Sequence, residues 1–368
     1  MEDITVGFIG LGLIGGSIAK AIKVKHPEIT LIAYNHHTDS INKNLDLALQ
    51  DGTLSKVTTN LCEDFRYCDL IILCGPVLSN IRYLEQLKPI IKPTSIITDV
   101  GSVKGNTHEA VDKLGLSKNF IGGHPMAGSE KTGYDNAHAR LLENAYYILT
   151  PTSETSERQL DFMQQIVSLT DAIPIVLDAK THDDITAAIS HVPHVISASL
   201  VNMVQSKDLD GSMKNLAAGG FKDITRISSS SPEMWQSICL SNTDSILKFI
   251  RIFQEQLSNF EHALMSKEKD SLINLFRQAK EYRDSVPKST AGAISSVYEV
   301  YMDILDETGA IATVATILAS NAISIKNIGI IHNREFEDGV LRIELYEEEA
   351  RQHTIALLRN YHYTVYER

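Results

Sequence analysis

Cysteine is scarce in this 368-residue chain: Cys62, Cys68, Cys74 and Cys239 are all it carries. No two of them form the C-x-x-C pair of a zinc site, and their density is far below that of a disulfide scaffold, so they read as free thiols in a reducing compartment. Positive charge is short as well. With 34 Lys+Arg against 46 Asp+Glu the formal net charge is −12. The attraction that drives binding to a phosphate backbone is therefore missing, which argues against nucleic acid as a partner. Glu2 and Asp3 stand where a signal peptide would carry positive charge, and there is no unbroken run of about 18 apolar residues to cross a bilayer. Long-period repeats and low-complexity segments are absent too. A cytoplasmic enzyme with no membrane partner is the expectation. At roughly 100–200 residues per domain the length implies two or three domains.

What is present begins at Ile4. A β-rich run to Ile9 leads into Gly10-Leu11-Gly12-Leu13-Ile14-Gly15 and then into an apolar pattern of helical period through Ile22. Further strands are expected at Thr30–Tyr34, Leu70–Cys74, Ser95–Asp99, Phe120–Gly122, Ala145–Leu149 and Ile173–Leu177, most of them separated by helical patterns. That alternation predicts an α/β fold with a doubly wound parallel sheet over residues 1–178. From Thr181 to about Lys288 strand signals stop, and Ile185–Ile189 and Ile246–Ala263 are apolar at helical spacing, so residues 179–290 read as a helical domain suited to packing or dimerisation. Val286 to Gly292 has linker chemistry. Beyond it, residues 297–368 read as strand 297–305, helix 310–320, strand 323–331, strand 340–345, helix 347–360 and strand 363–366, a βαββαβ module.

Chemistry concentrates in four places. In the glycine turn, Gly10 permits the tight reversal, Gly12 lets backbone approach a pyrophosphate and Gly15 allows close helix packing, while the first helical N–H groups, at Leu13 and Ile14, face the anion. The strand before and the helix after are the context that separates a dinucleotide site from an ordinary glycine turn. The second strand ends in Tyr34-Asn35-His36-His37. Asn35 can bond a ribose hydroxyl without repelling a 2′-phosphate, so NAD is expected and NADP stays open. Next, Gly122 to Glu130 combines glycines with His124, Ser129 and Glu130 after a predicted strand. A dehydrogenase acting on a carbinol needs a base near neutral pH, and His124 has the chemistry. The third place, Thr181 to His194, holds Asp183, His191 and His194. Metal ligation is not expected there, because Pro193 should break the helix that would align the two histidines and no third ligand pattern is near. Last, Arg226 follows Gly219-Gly220-Phe221-Lys222-Asp223-Ile224-Thr225, with Trp235 beyond; a guanidinium beside glycines suits a bidentate grip on a carboxylate.

Together the glycine turn, His124-Pro125-Met126-Ala127-Gly128-Ser129-Glu130, His191-Val192-Pro193-His194 and Gly219 to Arg226 resemble the prephenate dehydrogenase family, in the family's order and over almost the whole chain. The resemblance implies a Rossmann domain, an all-α dimerisation domain forming a homodimer, and an ACT-like tail. It implies NAD-dependent oxidative decarboxylation of prephenate to 4-hydroxyphenylpyruvate in tyrosine biosynthesis, with tyrosine as effector. By the same resemblance His124 is the catalytic histidine and Ser102, in Asp99-Val100-Gly101-Ser102-Val103-Lys104, the serine that orients it. Arg226 holds the substrate carboxylate, and His191, His194, Ser129, Glu130 and Asp183 line the pocket. Gly75, Pro76, Asp99 and Ser102 join the cofactor site, and Asp306, Gly309 and Asn321 the effector site, shared between two tails. Asn35 departs from the usual acid. The neighbouring possibilities are an arogenate dehydrogenase, which these patterns do not separate, and a non-enzymatic tyrosine-sensing regulator, which His124 and Arg226 disfavour. A 6-phosphogluconate-type enzyme would need a catalytic lysine for which only Lys180 stands nearby, in surroundings that do not match.

Overall fold

The structure, a computed structural model, describes residues 4–34, 43–128, 131–286, 298–305, 307–331 and 339–366. Asn35, His36, His37, Ser129, Glu130 and Asp306 lie outside them. Contacts divide the chain into two units, Met1–Val286 and Pro287–Arg368. The cut falls in the linker expected from sequence. The first two expected domains, however, form one unit, tied by hydrogen bonds described below.

Strands β1 (Thr5–Ile9), β2 (Thr30–Tyr34), β3 (Lys56–Val57), β4 (Leu70–Leu73) and β5 (Ile96–Asp99) form a parallel sheet in the order β3-β2-β1-β4-β5. Every residue of β4 and β5 is buried. Their near-continuous apolar runs are what a parallel sheet covered on both faces requires. Ile9 pairs with Leu73 and Leu73 with Asp99, so the carboxyl ends of β1, β4 and β5 share one edge. A parallel bridge from Ile97 to Phe120 extends this sheet to β6 (Ile121–Pro125).

Past β6 the pairing changes: β7 (Tyr146–Pro151) runs antiparallel to β6, and β8 (Ile173–Val176) parallel to β7. A parallel return would need a crossover helix. The described part of the 126–145 connection holds only a 3-10 turn, Tyr134–Asn136, and the strand comes back reversed.

Asp178 opens the helical half by accepting a hydrogen bond from Thr181 N at 2.9 Å, an N-cap for the helix Ala179–Thr186. The expected break at Pro193 does not occur. A π turn, Ala187–His191, closed by Val192 N–H on the Ala187 carbonyl, carries the helix on into Val192–Lys207. The wider turn absorbs the missing N–H and ring bulk of proline, and such turns gather at functional sites. Although no unbroken apolar run exists, Ala179–Lys207 is by length and composition apolar enough to cross a membrane, with only 22% of its apolar window buried. The average is built from Ile, Val, Ala and Leu interleaved with Ser190, His191, His194, Ser197 and Asn202. The helices Pro232–Ser241, Thr243–Met265 and Lys269–Ser285 complete this half.

The second unit follows the expected βαββαβ order: β9 (Tyr298–Ile304), helix Ala310–Ser320, β10 (Ile325–Ile331), β11 (Gly339–Leu345), helix Glu348–Asn360 and β12 (Val365–Tyr366). The sheet is antiparallel, in the order β10-β11-β9-β12. Val300, Met302 and Ile304, every second residue of β9, pack with Leu341 and Ile343 against Val314, Leu318, Ile355 and Leu358 of the two helices. Gly309, at φ +90°, starts the first helix. Asn321 ends it, its side chain donating to the Ile317 carbonyl at 2.9 Å. The two expected effector residues thus stand at opposite ends of one helix, about 18 Å apart at roughly 1.5 Å per residue. Within one copy they cannot meet on one small ligand.

Candidate active site

The sheet edge that gathers the carboxyl ends of β1, β4, β5 and β6 brings most of the expected site residues together. At the end of β1, Gly10 has φ +87°, and a side chain there would press on the backbone of Cys74 and Gly75. A Cβ at Gly15 would lie 2.9 Å from Cys74 Sγ and from the Gly10 carbonyl, which is why the helix can seat so close to the strand. Around Gly12 no protein atom comes within 4 Å of a built Cβ. The helix Leu13–Lys25 begins there without a side-chain cap and without an acidic residue in its first turn. This is a cradle with open space above uncapped N–H groups, the arrangement a pyrophosphate takes. Gly75 donates to Asn80 Oδ1 at 3.1 Å, and Pro76 caps the helix Val77–Leu87.

Beneath β5 and β6 lies an ion pair that sequence did not reveal. Lys104 Nζ binds Asp99 Oδ2 and donates to the Gly123 carbonyl at 2.7 Å, and both side chains are fully buried. Asp99 also accepts from Gly101 N at 3.0 Å and Gly123 N at 3.2 Å. Burial pushes the Lys104 ammonium below its ordinary value, opposed by the Asp99 carboxylate. The pair pins β6, and with it the next residue, His124. Asp99 was expected to touch cofactor; its two oxygens are spent on protein donors.

His124 lies in β6, opposite Ile148 of β7, and not in the loop after a shorter strand. Its Nδ1 is 2.8 Å from His182 Nε2, and His182 Nδ1 is 2.7 Å from Asp183 Oδ1. Asp183 in turn accepts from Lys104 N at 2.8 Å and Gly105 N at 2.7 Å. Both oxygens of this carboxylate, expected to line the substrate pocket, are thus engaged by protein groups. Among the described residues Ser102 makes no hydrogen bond to His124. Burial, with His182, Lys104 and His191 around it, holds the His124 imidazole well below the ordinary histidine value, so it is neutral and able to accept a proton at neutral pH.

The π turn places His191 on the inner side, where Asn242 Nδ2 approaches its Nδ1 at 3.2 Å and also donates to the Asp183 carbonyl at 2.9 Å. Burial pushes His191 down to about 4, against the pull of Asp183. His194, one turn on, stacks on Trp235 with ring centroids 3.7 Å apart. Burial lowers it too, and next the positive charge of Arg226, which is thereby placed near it. Arg226 itself is exposed, at the end of the helix Gly219–Thr225. Among the described residues, no group of three His, Cys, Asp or Glu is arranged to hold a metal ion.

Because both His124 and His191 titrate far lower folded than unfolded, the unfolded chain takes up protons that the native chain refuses as pH falls through 6.5. Their contribution to stability is complete above that value and lost below it. The thermal midpoint should be level near pH 7 to 8 and decline between pH 6.5 and 4. A midpoint rising over that window would contradict the placement of these rings.

Fold and site define a class: a nucleotide-dependent oxidoreductase with a Rossmann domain and a helical partner domain completing the active site. Residues 18–176 match the family model described as prephenate dehydrogenase, nucleotide-binding domain, and residues 178–278 the one described as prephenate dehydrogenase, dimerization domain. A prephenate dehydrogenase of Bacillus subtilis is 38% identical over 96% of this chain and 94% of its own, a span that includes most of the tail. The structure of prephenate dehydrogenase from A. aeolicus in complex with hydroxyphenyl propionate and NAD+ superposes with a TM-score of 0.72 at 27% identity, covering 78% of this chain and 99% of that one. Synechocystis arogenate dehydrogenase superposes at 0.69 with 29% identity, covering 77% and 100%. The chain belongs to the prephenate dehydrogenase family.

Proposed function

We propose that this enzyme carries out the NAD-dependent oxidative decarboxylation of prephenate to 4-hydroxyphenylpyruvate and carbon dioxide, with His124 as the proton acceptor. The observation that carries this is a neutral, internally braced His124 at the same sheet edge as the open Gly12 cradle. NAD, when bound, supplies the hydride acceptor; Gly10, Gly12, Leu13, Ile14, Gly15, Gly75 and Pro76 are the residues that would hold it. The hydroxyl proton of the substrate ring goes to His124, and loss of the ring carboxylate as carbon dioxide leaves an aromatic ring. Ser102, three residues past the end of β5 at Asp99, remains a proposed contact to the nicotinamide end. Arg226 clamps a substrate carboxylate in an environment built by His194 and Trp235, and Ser129 and Glu130 remain proposed substrate contacts.

Two expectations attach to these roles. Gly12→Val fills space that no protein atom occupies, so the fold should persist while KM for NAD rises roughly tenfold or more, about 1.4 kcal/mol of lost binding. An unchanged KM would remove Gly12 from the cofactor site. Arg226→Ala should chiefly raise KM for prephenate, by roughly tenfold to a hundredfold, as a carboxylate loses its bidentate partner; a rise confined to KM for NAD would refute the clamp.

The helical domain exposes Ile189, Met203, Leu240, Ile252, Leu257, Leu264, Ile273 and Phe276, and residues 178–278 match a family model described as a dimerization domain. We assign this surface to a homodimer. We assign the tail an ACT-like role as the binding module for tyrosine, with Asp306, Gly309 and Asn321 contributed by two copies, and we place the enzyme in the cytoplasm on its cysteine usage. Steady-state formation of NADH and NADPH with prephenate and with arogenate, each with and without tyrosine, tests the whole set. Fast NADH formation with prephenate, suppressed by tyrosine, is expected. Turnover with arogenate alone would move the chain to the neighbouring specificity, and indifference to tyrosine would leave the tail without its effector.

A further inference from the structure

His124 is held by a chain of hydrogen bonds whose protons can be placed by chemistry. The Asp183 carboxylate, fastened by the N–H groups of Lys104 at 2.8 Å and Gly105 at 2.7 Å, only accepts. The proton in its 2.7 Å contact with His182 therefore sits on His182 Nδ1. A neutral His182 then presents a bare Nε2, and the proton in the 2.8 Å contact with His124 belongs to His124 Nδ1. His124 Nε2 is left unprotonated. The opposite order would require a second proton on His182, a side chain with no exposed surface.

On the reading of His124 as proton acceptor, we infer that His182, oriented by Asp183, is a positioning residue that locks His124 in its Nδ1–H tautomer and so makes Nε2 the nitrogen that takes the substrate's proton. When the substrate O–H bond breaks and the Nε2–H bond forms, the new imidazolium keeps its Nδ1–H bond to His182, one ring away from the Asp183 carboxylate that favours its charge. His182 touches no reacting atom. The charged and titratable groups facing the pair are Lys104 and Asp99 from the sheet side and His191 and Asp183 from the helical side. The orienting partner seen in the structure comes from the helical half, so the base in the nucleotide-binding half is completed only when the two halves are packed as they are in Met1–Val286.

The direct test is long-range proton–nitrogen NMR of the full-length protein labelled with nitrogen-15 at histidine, at pH 7 to 8 and without ligands, with His124→Asn and His182→Phe used to assign the signals. Bare Nε2 on both His124 and His182, with protons on both Nδ1 atoms, is the expected pattern; a proton on His124 Nε2 would overturn the inference. Kinetics supply a second arm. His182→Phe should lower kcat about tenfold to a hundredfold with both KM values nearly unchanged, the pattern of a base in the wrong tautomer. His182→Gln, whose amide oxygen can accept the Nδ1 proton, should recover part of the loss. If His182→Phe folds and keeps full kcat while His124→Asn is inactive, the tautomer lock is wrong and His124 remains the base; if His124→Asn keeps full kcat, the underlying assignment fails instead. Should His182→Phe not fold, the wild-type spectrum alone decides, assigned with His124→Asn.

Discussion

His124→Asn should fold, bind NAD normally and turn over prephenate at least about a hundredfold more slowly than the parent, the scale expected when a general base is removed. Asparagine can still bond through its side chain toward His182, but it has no nitrogen that accepts a proton at neutral pH. The loss should therefore fall on kcat and kcat/KM together, with little change in KM for NAD. Steady-state kinetics with either substrate varied will show it. Because the parent's imidazole is held well below the ordinary histidine value, its kcat/KM should stay level as pH falls past 6.5 and drop only at more acid pH. A variant with near-normal kcat would remove His124 from the chemistry.

The second large effect lies under the site. Lys104→Met leaves Asp99 fully buried with its charge uncompensated. Breaking one side of a buried pair typically costs about 3–5 kcal/mol. For the unit Met1–Val286 that corresponds to a fall in thermal midpoint of about 5–8 °C, at roughly 2.1 cal/mol/K of unfolding entropy per residue. Replacing both partners, Lys104→Met with Asp99→Leu, should recover part of the loss, since no charge is then stranded; recovery stays partial because Gly101 N and Gly123 N lose their acceptor. Thermal denaturation followed by circular dichroism measures both variants. If Lys104→Met melts with the parent, the pair does not support β6 in the way described.

Much of the architecture was legible because it is written in local periodicity. The run Thr30–Tyr34 and the helix Ala310–Ser320 occur with the expected ends, and the βαββαβ order of the tail is as read. Strand β6 was read short. Glycines depress strand signals, and what carries His124 and Pro125 into the sheet is pairing with Ile148 and Tyr147, which are distant in sequence. The site was legible where a residue type is chemically unusual in its setting, as with Gly12, His124 and Arg226. It was not legible where burial alone confers the role. Lys104 stands two residues after Ser102, and lysine is ordinarily a surface residue. His182 directly precedes Asp183, and a His-Asp pair ahead of an apolar helix was the available signal, though adjacency says nothing of which ring faces β6. Pro193 misled for a related reason: a helix break is the common result of an internal proline, and a π turn is the rarer way to accommodate one.

The central claim is that one site couples hydride removal to loss of carbon dioxide with His124 taking the proton. Its most direct test is the stoichiometry of a single reaction mixture of enzyme, NAD and prephenate, with NADH, carbon dioxide and 4-hydroxyphenylpyruvate measured together. Equal amounts of the three products from the parent, and none above background from His124→Asn over the same interval, are what this account predicts. NADH formed without matching carbon dioxide, or equal product yields from both proteins, would contradict it.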